Sequence, residues 1–184
     1  MKKFLTIALA LVASSALAAP KADGKIDAKE YASTYKDTKT GATFNWTIDG
    51  DTLYVGLTAK ATGWVGVGFN PTGDKKDGAD MYMFVMEKGK MIGMDGFMAK
   101  PKGEPKWDDR EGCKNNLLTS GGALSGGNLT VEFSRKLDTG DKCDVVIKKG
   151  AENTVLIAHS DNSNIKKAHK KEDEGRSESK IVLK

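Results

Sequence analysis

The sequence predicts an all-β fold, an antiparallel β-sandwich of immunoglobulin-like architecture. Apolar and polar residues alternate with a period of two in several short segments. No segment carries apolar residues at the i, i+3, i+4 and i+7 spacing of an amphipathic helix. Clusters of Gly, Asp and Asn separate the segments, as turns separate short strands. Short strands at this spacing are typical of a sandwich.

The clearest hairpin lies in the first third of the chain. Phe44, Trp46 and Ile48 alternate with polar residues, Asp49-Gly50 has the composition of a tight turn, and the alternation resumes over 53–57. Further strands are predicted over 64–69, 79–86, 91–98, 128–134, 144–148, 154–160 and 179–183. The Pro-, Lys- and Gly-rich stretch 99–116 is predicted to be a long loop.

The N-terminus has the three-part pattern of a secretory signal peptide. Lys2 and Lys3 precede an apolar run over 4–12, and small residues follow up to Ala18. We therefore expect a signal peptide over 1–18, a single domain over 19–184, and a periplasmic or secreted location. No later segment approaches about 18 consecutive apolar residues, so no membrane span is expected after cleavage.

Charge and motifs argue against two functional classes. Without Lys2 and Lys3 the chain has 27 basic residues against 25 acidic ones, a balance that does not favour nucleic-acid binding. The GxSxG and HExxH signatures and glycine-rich phosphate loops are missing from the sequence. The sequence therefore indicates a binding module rather than an enzyme, at most a non-catalytic redox part of a larger system.

Two cysteines, Cys113 and Cys143, are the only ones in the sequence. An oxidising compartment outside the cytoplasm favours a disulfide between them. A metal-binding pair or two free thiols are the alternatives, and the absence of CxxC spacing makes the metal pair the weaker one.

Methionine and histidine supply the candidate metal ligands. Six of the seven methionines fall within residues 81–98, among them Met81, Met83 and Met86. Thioethers bind Cu(I) and haem iron, although methionine also fills gaps in hydrophobic cores. His159 and His169 are the only histidines, and a neutral imidazole is a ligand for either metal.

Three sequence blocks carry a family resemblance. They are GWVGVGFNP over 63–71, DGADM over 77–81 and VEFSRKLDTGD over 131–141. In this order and spacing they resemble the DOMON domain family, from about residue 25 to the C-terminus. The resemblance implies a β-sandwich that binds haem b in electron-transfer members and carbohydrate in others.

The resemblance also implies a set of haem ligands. Haem-binding members have a Met just before the Gly-Ala-Asp block and a His near the C-terminal end. The histidine corresponds to His169, with His159 as the alternative, but Lys76 stands at the methionine position. A lysine ligand must be deprotonated, so its pKa would have to fall well below about 10.4. Met81 or Met83, which share one strand face, could replace it, and Trp64 is expected in the pocket wall.

Three functions follow, in order of preference. The first is a haem b module for electron transfer or redox sensing, whose partner would be a protein such as a cytochrome or a membrane oxidoreductase. The second is a metal-free module that binds carbohydrate or another small molecule through Trp64, Tyr82 and Trp107. The third is a periplasmic Cu(I) carrier that uses Met81, Met83, Met86 and one histidine.

Overall fold

The fold is a sandwich of two antiparallel sheets, which confirms the predicted fold class. The computed structural model describes residues 18–166, 169 and 175–184, so the predicted signal peptide lies outside the described residues except for Ala18. Within these ranges the single helical element is a 3-10 turn, Asp108–Arg110. None of the described helices has the length and apolar character needed to cross a membrane.

In the described part of the chain, eleven strands form the two sheets. The smaller sheet consists of β1 (Ser33–Lys36), β2 (Thr43–Asp49), β3 (Thr52–Ala59), β8 (Thr119–Ser125) and β9 (Asn128–Lys136), in the spatial order β1-β2-β3-β9-β8. The larger sheet consists of β4 (Trp64–Phe69), β5 (Asp80–Glu87), β6 (Lys90–Phe97), β7 (Lys106–Trp107), β10 (Glu152–Ser160) and β11 (Arg176–Val182), in the order β11-β10-β4-β5-β6-β7.

The predicted hairpin is present as β2 and β3. Its turn lies one residue later than predicted, because Asp49 pairs with Thr52 and leaves Gly50 and Asp51 as the connection. Gly50 has a φ of +57°, a left-handed conformation that glycine adopts without steric cost. The alternation then directs Phe44, Trp46 and the apolar residues of β3 towards the larger sheet.

The prediction of a strand over 144–148 is wrong. The Val145 backbone is hydrogen-bonded to side chains of the core instead of a neighbouring strand. Its N–H donates to Asp80 Oδ2 at 3.3 Å, and its carbonyl accepts a hydrogen bond from Arg135 at 3.0 Å. Three strands escaped prediction: β1, β8 and β7, the last of which lies inside the predicted loop 99–116. The sequence of β8, TSGGALS, lacks apolar alternation, and its pairing with β9 determines the strand.

The main core lies between the two sheets. Tyr82 and Phe84 of β5 project from the larger sheet onto Phe133 of β9, with ring centroids 5.2 and 5.1 Å apart. Strand β5 lies between β4 and β6 and is buried on both faces over most of its length, which confirms its predicted central position. Its two faces are therefore directed towards two different environments.

A disulfide joins the predicted pair, Cys113 and Cys143, with a Cα–Cα distance of 6.3 Å. It connects the loop after the 3-10 turn to the irregular segment after β9. Asp141 strengthens the same connection, because its carboxylate accepts the N–H groups of Lys114 at 2.9 Å and of Cys143 at 3.0 Å.

We expect the double substitution Cys113→Ser/Cys143→Ser to lower the free energy of unfolding by about 3 kcal/mol. The bond closes a loop with a sequence separation of 30, and its loss restores that loop's freedom to the unfolded chain. Urea unfolding measures the change, and wild-type protein in reductant is the matched control. Equal stability of the oxidised wild type and the double variant would contradict the prediction.

Candidate functional site

The face of the larger sheet that points away from the smaller sheet is apolar and buried. We call it the outer apolar face, and its buried members are Trp64, Ala79, Met81, Met83, Val85 and Met98. Half-buried side chains surround them: Met94, Trp107, Leu156, Ala158 and Ile165. The solvent face of a sandwich sheet normally carries polar residues. A second apolar surface here is therefore a candidate binding site.

Two glycines of β4 explain how the methionines lie on this face. Gly66 pairs with Met83 and Gly68 pairs with Met81. A β-carbon added to Gly66 would stand 2.5 Å from Met83 Sδ, and one added to Gly68 would stand 2.5 Å from Met81 Sδ. Each thioether therefore lies directly against bare backbone. The groups that approach these glycines are thus side chains of the neighbouring strand.

Trp64 begins the same strand and faces the methionine side. Its side chain is buried, and its Nε1–H has no hydrogen-bond partner within the described ranges. Buried indole N–H groups usually have an acceptor. A ligand oxygen bound on the outer apolar face could provide one.

Lys76 lies in the loop that leads into β5. Its half-buried side chain donates from Nζ to the carbonyl oxygen of Gly103 at 3.0 Å. Burial lowers the pKa of the Lys76 ammonium, and the positive charge of Arg176 lowers it further. The hydrogen bond from Gly78 N–H to the Met98 carbonyl, at 2.7 Å, closes the loop near the outer apolar face.

His169 is half-buried, and the residues next to it in the sequence lie outside the described residues. The segment that leads to it begins over the outer apolar face, where Ile165 packs. Gly63 N–H binds the Ser160 carbonyl at 3.0 Å, and Thr62 N–H binds Asp161 Oδ1 at 3.1 Å. These bonds attach the start of the segment to the connection between β3 and β4.

Three other candidate residues lie on the opposite face of the sheet. His159 is buried there, with Nε2 3.4 Å from the Thr40 carbonyl oxygen. Tyr82 stacks on Phe133 inside the main core, and Met86 packs against the same core. The structure thus separates Met86 from Met81 and Met83 in the copper set. It likewise separates Tyr82 from Trp64 in the carbohydrate set.

Trp107 borders a different cavity. This cavity of about 250 Å³ is lined by Trp107, by Met94 and Asp95 of β6, and by Asp109 and Arg110 of the 3-10 turn. Trp107, one of the proposed carbohydrate-stacking residues, therefore lies beside a cavity.

Several residues of the outer apolar face were not predicted. Leu156 and Ala158 lie in a predicted strand, but no role was predicted for them. The available signal was that all four residues over 155–158 are apolar, because a strand with one solvent-exposed face alternates apolar and polar residues. Ile165 carried no comparable signal, since it reaches the face from a connecting segment. Met98 belongs to the methionine cluster that the sequence singled out, although it lies just beyond the end of β6.

Comparison with known proteins gives a family and a fold. The model of the DOMON domain matches residues 37–160. The cytochrome b domain of pyranose dehydrogenase from Coprinopsis cinerea is similar in structure, with a TM-score of 0.55, 10% identity and 80% of each chain covered. The cytochrome domain of Myriococcum thermophilum cellobiose dehydrogenase gives a TM-score of 0.45 at 14% identity, covering 83% of this chain and 88% of that one. No curated protein matches the chain.

We expect Gly68→Ala to lower the free energy of unfolding by about 1–3 kcal/mol, as overpacking does. The new methyl group meets Met81 Sδ on one side and Leu156 Cβ, at 3.2 Å, on the other. Gly66→Ala is the matched control with a smaller cost, because the flexible end of Met83 is its single close contact under 3.4 Å. Urea unfolding measures both changes.

A double-mutant cycle with Met81→Ala identifies the cause. The Met81 truncation should cost at least about 0.5 kcal/mol less in the Gly68→Ala background, since it removes the clash. Additive effects would show that Met81 does not lie over Gly68.

Proposed function

Because the chain belongs to the DOMON domain family, we propose that it is a periplasmic or secreted module that binds haem b on its outer apolar face. It serves electron transfer or redox sensing. The observation that carries the proposal is the pair of buried thioethers, Met81 and Met83, lying over the bare backbone of Gly66 and Gly68. The hydrophobic members of this face form one packed cluster, which suits the apolar surface of a porphyrin.

The donor set on this face suits haem iron. His169 is the proposed first axial ligand, because the segment that carries it begins over the outer apolar face. A thioether, from Met81 or Met83, is the proposed second ligand. A thioether needs no deprotonation, whereas Lys76 would have to lose its proton and its hydrogen bond to Gly103. The unpartnered Trp64 N–H supplies a donor for an oxygen of the ligand.

Bound haem b supplies a one-electron couple at its iron. The outer apolar face excludes water from this couple, and exclusion of water and thioether ligation both tune its reduction potential. A solved domain of similar fold is a cytochrome b domain, so the fold accommodates haem b in that protein. The disulfide and the signal-peptide pattern support an oxidising location.

Electron transfer requires a partner, because the sequence has no flavin or nicotinamide motif. The proposed partner is a redox protein such as a cytochrome or a membrane oxidoreductase. The module itself then contributes no catalytic step.

Reconstitution with haemin tests the proposal. We expect the purified protein to bind haem with a Soret band that shifts on reduction, and His169→Ala to lower haem affinity at least tenfold. His159→Gln is the matched control, because the other histidine faces the core, and its amide can keep the bond to the Thr40 carbonyl. Absorption titration measures the affinities, and circular dichroism verifies the fold of each variant.

Two outcomes contradict the proposal. One is the lack of any Soret band, and the other is a band that His169→Ala leaves unchanged. If a haem-free protein binds an oligosaccharide in calorimetry, the carbohydrate function replaces the redox one.

Lys76→Met tests the second ligand. If a thioether of β5 already binds iron, the substitution leaves the reduction potential within a few tens of millivolts, and Met81→Leu or Met83→Leu changes it by about 100 mV. Axial ligands set haem potentials over roughly 0.8 V, so exchange of a ligand is readily measured. Potentiometric titration distinguishes the cases. A rise of about 100 mV in Lys76→Met, with no change in the leucine variants, would assign the ligand to Lys76.

A further inference from the structure

A second candidate site, lined by charged residues, lies between the two sheets, on the inner face of β5. Asp80 of β5 and Asp95 of β6 point inwards, and Arg135 of β9 reaches them from the smaller sheet. Arg135 and Asp80 form an ion pair in which both side chains are fully buried. This site shares no side chain with the outer apolar face, so it is independent of the proposed haem function.

Three carboxylates converge at this point. Oxygen atoms of Asp80, Asp95 and Asp144 lie within 4.8 Å of one another. One oxygen of Asp80 binds Arg135, and one oxygen of Asp95 accepts the Asn116 N–H at 2.7 Å. The other oxygen of each is buried without a hydrogen-bond partner in the described part of the chain. Both oxygens of Asp144 are also buried, and its side chain is in hydrogen-bonding contact with Thr139 and Asp108.

Asp108 provides a separate indication of a ligand. Its side chain begins the 3-10 turn and is fully buried, yet no N–H or hydroxyl group of the described residues donates to either carboxylate oxygen. The pKa of Asp108 is raised to about 7, chiefly by burial and then by the charges of Asp144 and Asp80, and its side chain is in hydrogen-bonding contact with the carboxyl group of Asp144. The side-chain oxygen of Asn116 is also buried and unpartnered.

The charge of the site is strongly unbalanced. Four aspartates face one arginine, and a buried carboxylate without a partner costs several kcal/mol. Burial raises the pKa of Asp95 to about 8, with a further contribution from Asp80. Burial also raises the pKa of Asp80 to about 7, although Arg135 opposes the shift. A bound cation would remove this cost.

The donor atoms identify the class of cation. The candidate donors are seven buried oxygens, from the carboxylates of Asp80, Asp95, Asp108 and Asp144 and from the Asn116 amide. Oxygen donors without nitrogen or sulfur select a hard cation, and Ca²⁺ takes six to eight oxygens in flexible geometry. Mg²⁺ requires a near-ideal octahedron and keeps several waters, which suits a dry, crowded cluster less well.

The covalent structure around the cluster holds its loops in place. The disulfide joins Cys113, between Asp108 and Asn116 in sequence, to Cys143, next to Asp144. A cavity of about 440 Å³, lined among others by Asp144, Lys142 and Gly78, lies beside the cluster.

We propose that Asp80, Asp95, Asp108, Asp144 and Asn116 bind one Ca²⁺ ion between the two sheets. The ion joins β5 and β6 to the disulfide-linked loops and completes the pairing that Arg135 begins. Its role is structural.

Thermal unfolding and calorimetry of the whole protein test this site. After treatment with a chelator, CaCl₂ at about 100 times its Kd should raise Tm by about 5–10 °C. MgCl₂ should bind more weakly in calorimetry. Tb³⁺, which replaces Ca²⁺ at oxygen sites, should give luminescence sensitised by the nearby Tyr82 and Trp107, and Ca²⁺ should quench it.

Asparagine substitutions give the decisive comparison. Asp95→Asn and Asp144→Asn keep the side-chain shape and remove a repelling charge, so the metal-free variants should be at least as stable as the wild type. Both should lose the Ca²⁺-induced rise in Tm and at least tenfold in Ca²⁺ affinity. Asp109→Asn is the matched control, because Asp109 is exposed beside Asp108 and should leave the response unchanged.

Three results would overturn the proposal. They are a wild-type Tm that does not respond to millimolar CaCl₂, a full response in Asp95→Asn and Asp144→Asn, and Mg²⁺ binding as tight as Ca²⁺ binding. The haem titration is unaffected by any of them, so the two functions stand or fall separately.

Discussion

The buried ion pair between Arg135 and Asp80 is the interaction on which the rest of the structure depends. It crosses from one sheet to the other, and it joins the sequence blocks around 77–81 and 131–141 that carry the family resemblance. Arg135 also donates to the Val145 carbonyl, which fixes the irregular segment after β9. A buried pair of this kind contributes little net stability but strongly penalises any arrangement that breaks it. It therefore selects one register between the sheets.

Strand β5 divides the molecule into two chemical environments. Alternate residues point in opposite directions, so Met81 and Met83 face the outer apolar face while Asp80 and Tyr82 face the interior. Both environments lie on one rigid central strand. The proposed haem site and the proposed Ca²⁺ site thus lie on opposite faces of this strand without sharing a donor.

The sequence predicted the parts that depend on local pattern. Period-two alternation identified the central strands, and cysteine chemistry identified the disulfide. Contacts between segments distant in sequence could not be predicted. The prediction of a strand over 144–148 was wrong because Val145 bonds to Asp80 and Arg135, and β8 was missed because only its pairing with β9 makes it a strand. The face shared by Met81 and Met83 was predictable from alternation. The separation of Met86 followed from the same rule, whereas the convergence of the aspartates required the fold.

Three of the four edge strands that the structure describes, β1, β7 and β11, bear on how the protein behaves among its neighbours. β1 has four residues and β7 has two, and the exposed side chains of β11 include the charges of Arg176, Glu178 and Lys180. An unpaired strand edge is a template for intermolecular pairing, and short or charged edges offer little to a second chain. These three borders therefore act against strand-to-strand aggregation at high local protein concentration, and β8 is the one of the four that lacks both features.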